Sequence, residues 1–389
     1  MTIPVKKIST FCKTGSGGTP SRSNNAFFEN GTIPWVKSGE LKNRYITEIE
    51  EYITDLAVEK SSAKLVSKGS LLIAMYGATV GEVSQLTFDA TTNQAICNIQ
   101  PDENVCDVNY LYRFLEASKP YLLSRRVGGG QPNISQSVIK DLDVPLPPLS
   151  EQRRIASILD QADELRQKRQ QAIEKLDQLL QATFIDMFGD PVSNPKGWDI
   201  GCIGDMLESV KYGSSDKATL EGEIPILRMN NLTYSGEMNL TDLKYITKVQ
   251  ADEKYLVKEG DILFNRTNSK ELVGKTAVYN GPEPMAYAGY LIRGRTKANY
   301  TPEYISAFLN SPWGKEKLQS MCKSIVGMAN INAKEFQSIV LPIPPEALQA
   351  HFKSKVLAIR EKKQLLANQL KVFEILFKSL QNQAFSGNL

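Results

Sequence analysis

The chain has 389 residues, and 46 Lys and Arg against 43 Asp and Glu leave a net charge of +3, which permits nucleic-acid binding without demonstrating it. That length exceeds one ordinary core, so two or more domains are expected; no apolar run approaches ~18 residues, and Met1-Thr2-Ile3-Pro4-Val5-Lys6-Lys7 lacks the apolar stretch of a secretion signal. One histidine and five scattered cysteines (Cys12, Cys97, Cys106, Cys202, Cys322), with no C-x-x-C pair, disfavour a zinc site or a disulfide framework and fit a reducing cytoplasm.

The first stretch, 1–149, mixes short β-prone runs such as 69–75 with turns rich in Gly, Asn, Ser and Pro, and a short helix is expected over 109–123. It ends in Val144-Pro145-Leu146-Pro147-Pro148-Leu149, after which no proline or glycine occurs until Gly189. Small or apolar residues then recur at Ile155, Leu159, Ala162, Ile173, Leu176, Leu180, Thr183 and Met187, interrupted by Arg166 and Arg169. Steps of three and four make the seam of a long helix that lies against a partner helix. The prolines prevent an earlier start, Ser150 is the expected N-cap, and about 38 residues give a rod about 57 Å long over 150–189.

The stretch 190–346 repeats the mixed plan, with a β-prone run at 261–264 and a helix expected over 302–321, and 347–389 repeats the long helix. Leu341-Pro342-Ile343-Pro344-Pro345 echoes the first proline motif 197 positions on, and the same displacement carries the seam to Phe352, Val356, Ile359, Lys363, Leu366, Leu370, Phe373, Phe377, Leu380 and Ala384. Lys363 falls where Arg166 sits, and both rods end on phenylalanine followed closely by glycine, an ordinary helix stop. Upstream, Ile33-Pro34-Trp35 matches Ile224-Pro225-Ile226, Lys68-Gly69-Ser70-Leu71-Leu72 matches Glu259-Gly260-Asp261-Ile262-Leu263, and Asn133-Ile134 matches Asn330-Ile331. The fold expected is α+β: two domains of similar fold, 1–149 and 190–346, separated by two antiparallel spacer helices with pseudo-two-fold symmetry.

Motifs for bond chemistry are wanting. Gly274-Lys275-Thr276 resembles the end of a phosphate loop, but Ser269 stands where that loop needs glycine. Gly15-Ser16-Gly17-Gly18 lacks G-x-G-x-x-G spacing, and His351 at the start of the second rod suits a surface or capping role. The polar, glycine-bearing loops carry side chains that read DNA instead. Arg pairs with guanine, Asn and Gln with adenine, and glycine-loop amides with phosphates. The candidates are Arg22, Tyr76, Arg125, Arg126, Gln131 and Asn133 in the first half, and Arg228, Asn230, Arg266, Asn268, Lys270 and Asn330 in the second.

Two divergent domains alternating with two similar helices, each introduced by P-L-P-P or P-I-P-P, resemble the specificity subunit of type I restriction–modification systems. The motif that most resembles it is Val144–Leu149 running into Ser150-Glu151-Gln152-Arg153-Arg154-Ile155; its second copy, Glu346-Ala347-Leu348-Gln349-Ala350-His351-Phe352, is more divergent. The resemblance implies a non-catalytic subunit on double-stranded DNA, each variable domain reading half of a bipartite target. It implies two methylase subunits docked on the helices, for which Ile155, Leu159, Leu176, Leu180, Val356, Leu366, Leu370 and Phe373 are the candidate residues. It also implies endonuclease/translocase subunits, S-adenosylmethionine for the methylase, ATP and Mg for the endonuclease, and no cofactor on this chain. A methylation-only system, or a scaffold with two binding domains that ignores DNA, are the alternatives. Rods of this length would hold the half-targets roughly 50 Å apart, about one and a half turns of duplex.

Overall fold

A computed structural model describes residues 3–126, 133–325 and 328–389. Two compact units emerge, one of Met1–Arg169 with Gln369–Leu389, the other of Gln170–Asn368. They cross the division read from the sequence because each long helix contributes one half to each unit.

In the first unit a five-stranded sheet runs in the order Cys12–Ser16, Ile96–Pro101, Leu71–Ala74, Val83–Leu86, Tyr45–Ile46. Leu71–Ala74 is buried on both faces, and side chains of successive residues alternate. Leu71 and Ile73 enter the core that the long helices share, while Leu72 and Ala74 enter a second core on the other face. The second unit repeats this with the order Leu207–Tyr212, Leu291–Thr296, Ile262–Asn265, Thr276–Val278. There Ile262 and Phe264 face the helices and Leu263 the opposite core. Before each central strand the chain turns on a glycine at positive φ, Gly69 at 87° and Gly260 at 86°, a conformation that costs any other residue about 1 kcal/mol or more.

The single helices expected over 109–123 and 302–321 are each two: Val108–Ala117 with Lys119–Ser124, and Pro302–Asn310 with Pro312–Met321. Prolines divide them. Pro120 has no N–H for the turn before it, and Ser311 before Pro312 is extended, at φ −68° and ψ 160°. Asp107 caps the first of these helices by accepting from the N–H groups of Asn109 and Tyr110.

The long helices span Leu149–Phe188 and Glu346–Ser386, 40 and 41 residues, or about 60 Å each. They start one residue earlier than the sequence suggests, so Ser150 is not the N-cap. The Pro148 carbonyl accepts from Glu151 and Gln152, and the Pro345 carbonyl from Leu348 and Gln349. Both stop at a left-handed glycine, Gly189 and Gly387, as expected.

Within the first unit Ile155, Ala156 and Leu159 of the first helix share a core with Phe377 and Ala384 of the second. Within the second unit Phe184, Met187 and Phe188 share one with Phe352 and Val356. In each unit the helices therefore run antiparallel along the expected seam. Arg166 and Arg169 do not break it, because their guanidinium groups lie over Phe377 at 4.8 Å and Phe373 at 5.8 Å. Lys363 instead bridges Asp177 of the other helix and Glu237 of a loop.

One glutamine fastens each helix start. Gln152 donates to the carbonyls of Pro147 and Val105 and accepts from the Asp107 N–H. Gln349 donates to the Pro344 carbonyl and accepts from the Thr301 N–H. The divergent second motif has kept this residue.

Candidate nucleic-acid interface

In both units the loop after the central strand is joined to the loop before the last short helix. Tyr76 and Asn133 form an antiparallel bridge, and the Ile134 N–H donates to the Met75 carbonyl at 2.9 Å. In the second unit Thr267 pairs with Asn330, and the Ile331 N–H donates to the Arg266 carbonyl at 2.9 Å. The backbone junction is the same; Asn133-Ile134 and Asn330-Ile331 are identical, whereas Met75-Tyr76 and Arg266-Thr267 differ.

Three of the second-unit candidates, Arg266, Asn268 and Asn330, lie at this junction. The Arg266 guanidinium lies 4.9 Å from the centre of the Tyr212 ring, and Nη2 approaches Asn330 Oδ1 at 3.4 Å. Asn330 donates to Thr267 Oγ1 at 2.7 Å. Asn268 reaches Met229 Sδ at 3.7 Å, which brings the Arg228–Asn230 turn alongside. Asn230 and Lys270 are exposed. Arg228 is partly committed elsewhere, since Nη2 donates to the Asp242 carboxylate at 2.9 Å and carbonyl at 3.2 Å. Lys275 of the phosphate-loop look-alike donates to the Met229 carbonyl at 2.7 Å, and burial pushes its pKa down. It stiffens the turn.

In the first unit Tyr76 and Asn133 meet, whereas Arg22 belongs to a separate cluster. Its guanidinium lies over Phe28 at 4.8 Å and Trp35 at 4.9 Å and pairs with Glu51 at 2.7 Å. Burial pushes the Glu51 carboxyl up, but Lys37 and Arg22 outweigh it and hold that carboxyl below its usual range. Arg125 lies over Tyr121 at 5.1 Å, and Arg126 donates to the Leu123 carbonyl at 2.8 Å. Gln131 lies outside the described residues.

The sequence reading omits Tyr212 and Tyr290. Both are about half exposed; Tyr212 carries Arg266 on its ring, and the Arg266 N–H donates to the Tyr290 carbonyl. Neither stands beside an arginine in the sequence, so their place next to Arg266 is set by the fold alone.

The helix candidates need correcting as a docking face. Ile155, Leu159, Val356 and Leu366 are buried within the chain, and Leu176, Leu180, Leu370 and Phe373 are half-buried. A heptad seam closes the chain's own cores. The apolar side chains that the helices leave exposed are Leu165, Leu179, Leu357, Leu365, Val372, Ile375 and Leu376. Among the described residues no group of three or more His, Cys, Asp or Glu is placed to hold a metal, and no helix is long and apolar enough to cross a membrane.

The model of the type I restriction modification DNA specificity domain matches residues 2–175 and again 195–375. The MjaIX specificity subunit of Methanocaldococcus jannaschii is 27% identical over 68% of this chain and 66% of its own length. The EcoR124I/EcoR124II specificity subunit of Escherichia coli is 31% identical over 42% of this chain and 41% of its own length. The EcoKI specificity subunit of Escherichia coli is 23% identical over 93% and 84%. The chain thus spans just under two thirds of the first of these relatives and less than half of the second. Among solved structures, the type I restriction–modification S subunit of M. genitalium superposes with a TM-score of 0.58 at 15% identity, covering 99% of this chain and 96% of that one. A chain solved for the complex assembly and conformational transition of a type I R-M system superposes at 0.60 and 16%, covering 100% of both. These two share the fold.

Proposed function

The chain belongs to the family of type I restriction–modification DNA specificity domains, and from that premise we propose that it reads a bipartite DNA target, one half-target per unit. It is the non-catalytic subunit; adenine methylation and cleavage belong to its partners. The observation that carries this reading is the loop junction built twice on one backbone plan, Tyr76 with Asn133 and Thr267 with Asn330. Two readers of different sequences need a common scaffold with exchangeable side chains. Arg266, Asn268, Lys270, Asn230, Arg228 and Asn330 read or hold DNA in the second unit, and Tyr76, Asn133, Arg125, Arg126, Arg22 and Gln131 in the first. Tyr212 orients the planar Arg266 guanidinium, as bidentate pairing to guanine requires.

Functionally the chain divides as 1–149 and 190–346 for the two readers and 150–189 and 347–389 for the spacers. Two methylase subunits dock on the helices through exposed apolar side chains such as Leu165 and Ile375, while the seam residues hold the rail in shape. Endonuclease/translocase subunits join for restriction. The methylase supplies S-adenosylmethionine and the endonuclease uses ATP and Mg; this chain holds no cofactor. The setting is the cytoplasm, where the DNA is.

Mapping methylated adenines in cells that carry this chain and its methylase partner is the test. A two-part motif with an unread gap is expected, and replacing the loops of one unit should change one part only. An intact motif after that replacement would sink the reading. A scaffold that ignores DNA would show no band shift, whereas true binding should weaken steeply with salt as phosphate contacts release counterions.

A further inference from the structure

A cavity of about 660 Å³ opens inside the second unit, between the long helices and the helix Pro302–Asn310. Leu180, Phe184, Ala307, Trp313, Val356 and Ile359 give it largely apolar walls. Protein interiors tolerate few voids larger than a water molecule, and this volume lies within the ~300–1,000 Å³ of small-molecule sites.

The internal repeat explains where the space comes from. In the first unit the corresponding place is filled: Arg113 is 1% exposed, its guanidinium lies over the rings of Tyr112 and Phe377, and it binds Asp160 and Glu116. The displacements that relate the two halves put Ser306 at the place of Tyr112, Ala307 at that of Arg113, and Leu180 at that of Phe377. Tyr112 and Arg113 give way to the small Ser306 and Ala307, and Phe377 to the less bulky Leu180, so the second unit carries less side-chain volume at these places.

The polar lining selects for charge. Glu303 is 4% exposed, its Oε2 has no hydrogen-bond partner among the described residues, and Lys353 lies 3.8 Å from the other oxygen. A buried carboxylate oxygen left unsatisfied is costly and calls for a donor. Asp177, Asp186, Glu237 and Glu303 outnumber Arg360 and Lys363 around the cavity, and Lys363 is already paired with Asp177 and Glu237. Lys315, behind the wall, is engaged by Asn310 and by the Tyr234 ring.

We propose that this cavity is a binding site for a small organic cation with an apolar body, its charged N–H group directed to Glu303 and its body lying between Phe184 and Trp313. The site is independent of DNA reading. Benzamidine, an aromatic amidinium, is the probe, titrated into the full chain by calorimetry and thermal unfolding. Saturable one-to-one binding with a raised Tm is expected, and toluene, uncharged and of similar shape, should bind at least about ten-fold more weakly. Glu303→Gln should weaken benzamidine about ten-fold while leaving toluene unchanged. Ala307→Arg, which restores the first unit's filler, should abolish both; Ser306→Tyr closes the same space from the neighbouring position should that variant fail to fold. No binding of benzamidine, or binding that survives Ser306→Tyr or is indifferent to Glu303→Gln, would overturn the proposal.

Discussion

Arg113 Nη1 meets Asp163 Oδ2 at 3.1 Å with both side chains almost wholly withdrawn from water, and the same guanidinium reaches Asp160 and Glu116. A cation surrounded by three carboxylates ties the helix Val108–Ala117 to the first long helix. Replacing it takes the ion pair from Glu116, whereas Asp160 keeps Arg44 and Asp163 keeps Arg166, so the cost should fall below the about 3–5 kcal/mol of a buried charge left wholly unpaired. Arg113→Met should therefore lower the urea midpoint of the first unit's transition, and Glu116→Gln in the same chain should recover part of the loss. An unchanged midpoint would show that the group carries no net stability.

The stack of Arg266 on Tyr212 leads to a prediction about specificity. Arg266→Ala should weaken binding of the cognate duplex by about 1–3 kcal/mol and relax one base of the second half-target only. Lysine keeps the charge but not the plane, so Arg266→Lys should restore general affinity and not the base preference. Competition band shifts with single-base variants of the target separate these outcomes. Equal loss across all duplexes would make Arg266 a phosphate contact.

Lys315 gives a pH signature. Burial, with a contribution from the charge of Lys275, pushes its pKa down to about 8 from the ordinary 10.5. Between those values the unfolded chain holds a proton that the folded chain has released, so stability contributed by this residue rises with pH across the window. Below pH 8 the penalty of the buried charge is fully present. Lys315→Met removes it, so the variant should exceed the parent in Tm at pH 7, by a margin that narrows toward pH 10. A margin independent of pH would mean that Lys315 stays protonated throughout.

If helix length sets the unread gap, lengthening both rods should lengthen the gap. Four residues inserted after Gln170 and four after Ala367 add about 6 Å, close to two base pairs. Methylation mapping would reveal the new spacing. An unchanged gap would refute the ruler.

The repeated plan is legible in the sequence because its anchors are residues with no substitute. Pro145 and Pro342 bar a helix, Gly69 and Gly260 adopt left-handed turns, and the heptad seam needs apolar side chains at fixed intervals. Gln152 and Gln349 were equally available to the eye, yet nothing in a polar residue at a helix start announces that its amide closes on earlier carbonyls, two for Gln152 and one for Gln349. The seam residues illustrate the opposite error: periodicity identifies a buried stripe but not whether the chain or a partner buries it. The loops were less legible still. Alignment of the halves matches Asn133 with Asn330 but does not say which loop each meets, and Tyr212 under Arg266 likewise depends on strand register, which spacing alone does not fix.

Each long helix is divided between two cores, and this has a consequence for how the protein is made. Residues 170–368 form one unit from an uninterrupted stretch, whereas 1–169 must wait for 369–389 before Phe377 and Ala384 can close their core. During synthesis the unit begun first is therefore completed last, and until then Ile155 and Leu159 lie uncovered. For exchange of specificity the same arrangement is an advantage. A single continuous segment cut within the two helices, near 169 and 368, carries one whole unit, so under the proposed function one crossover cassette is expected to retarget half of the recognised sequence.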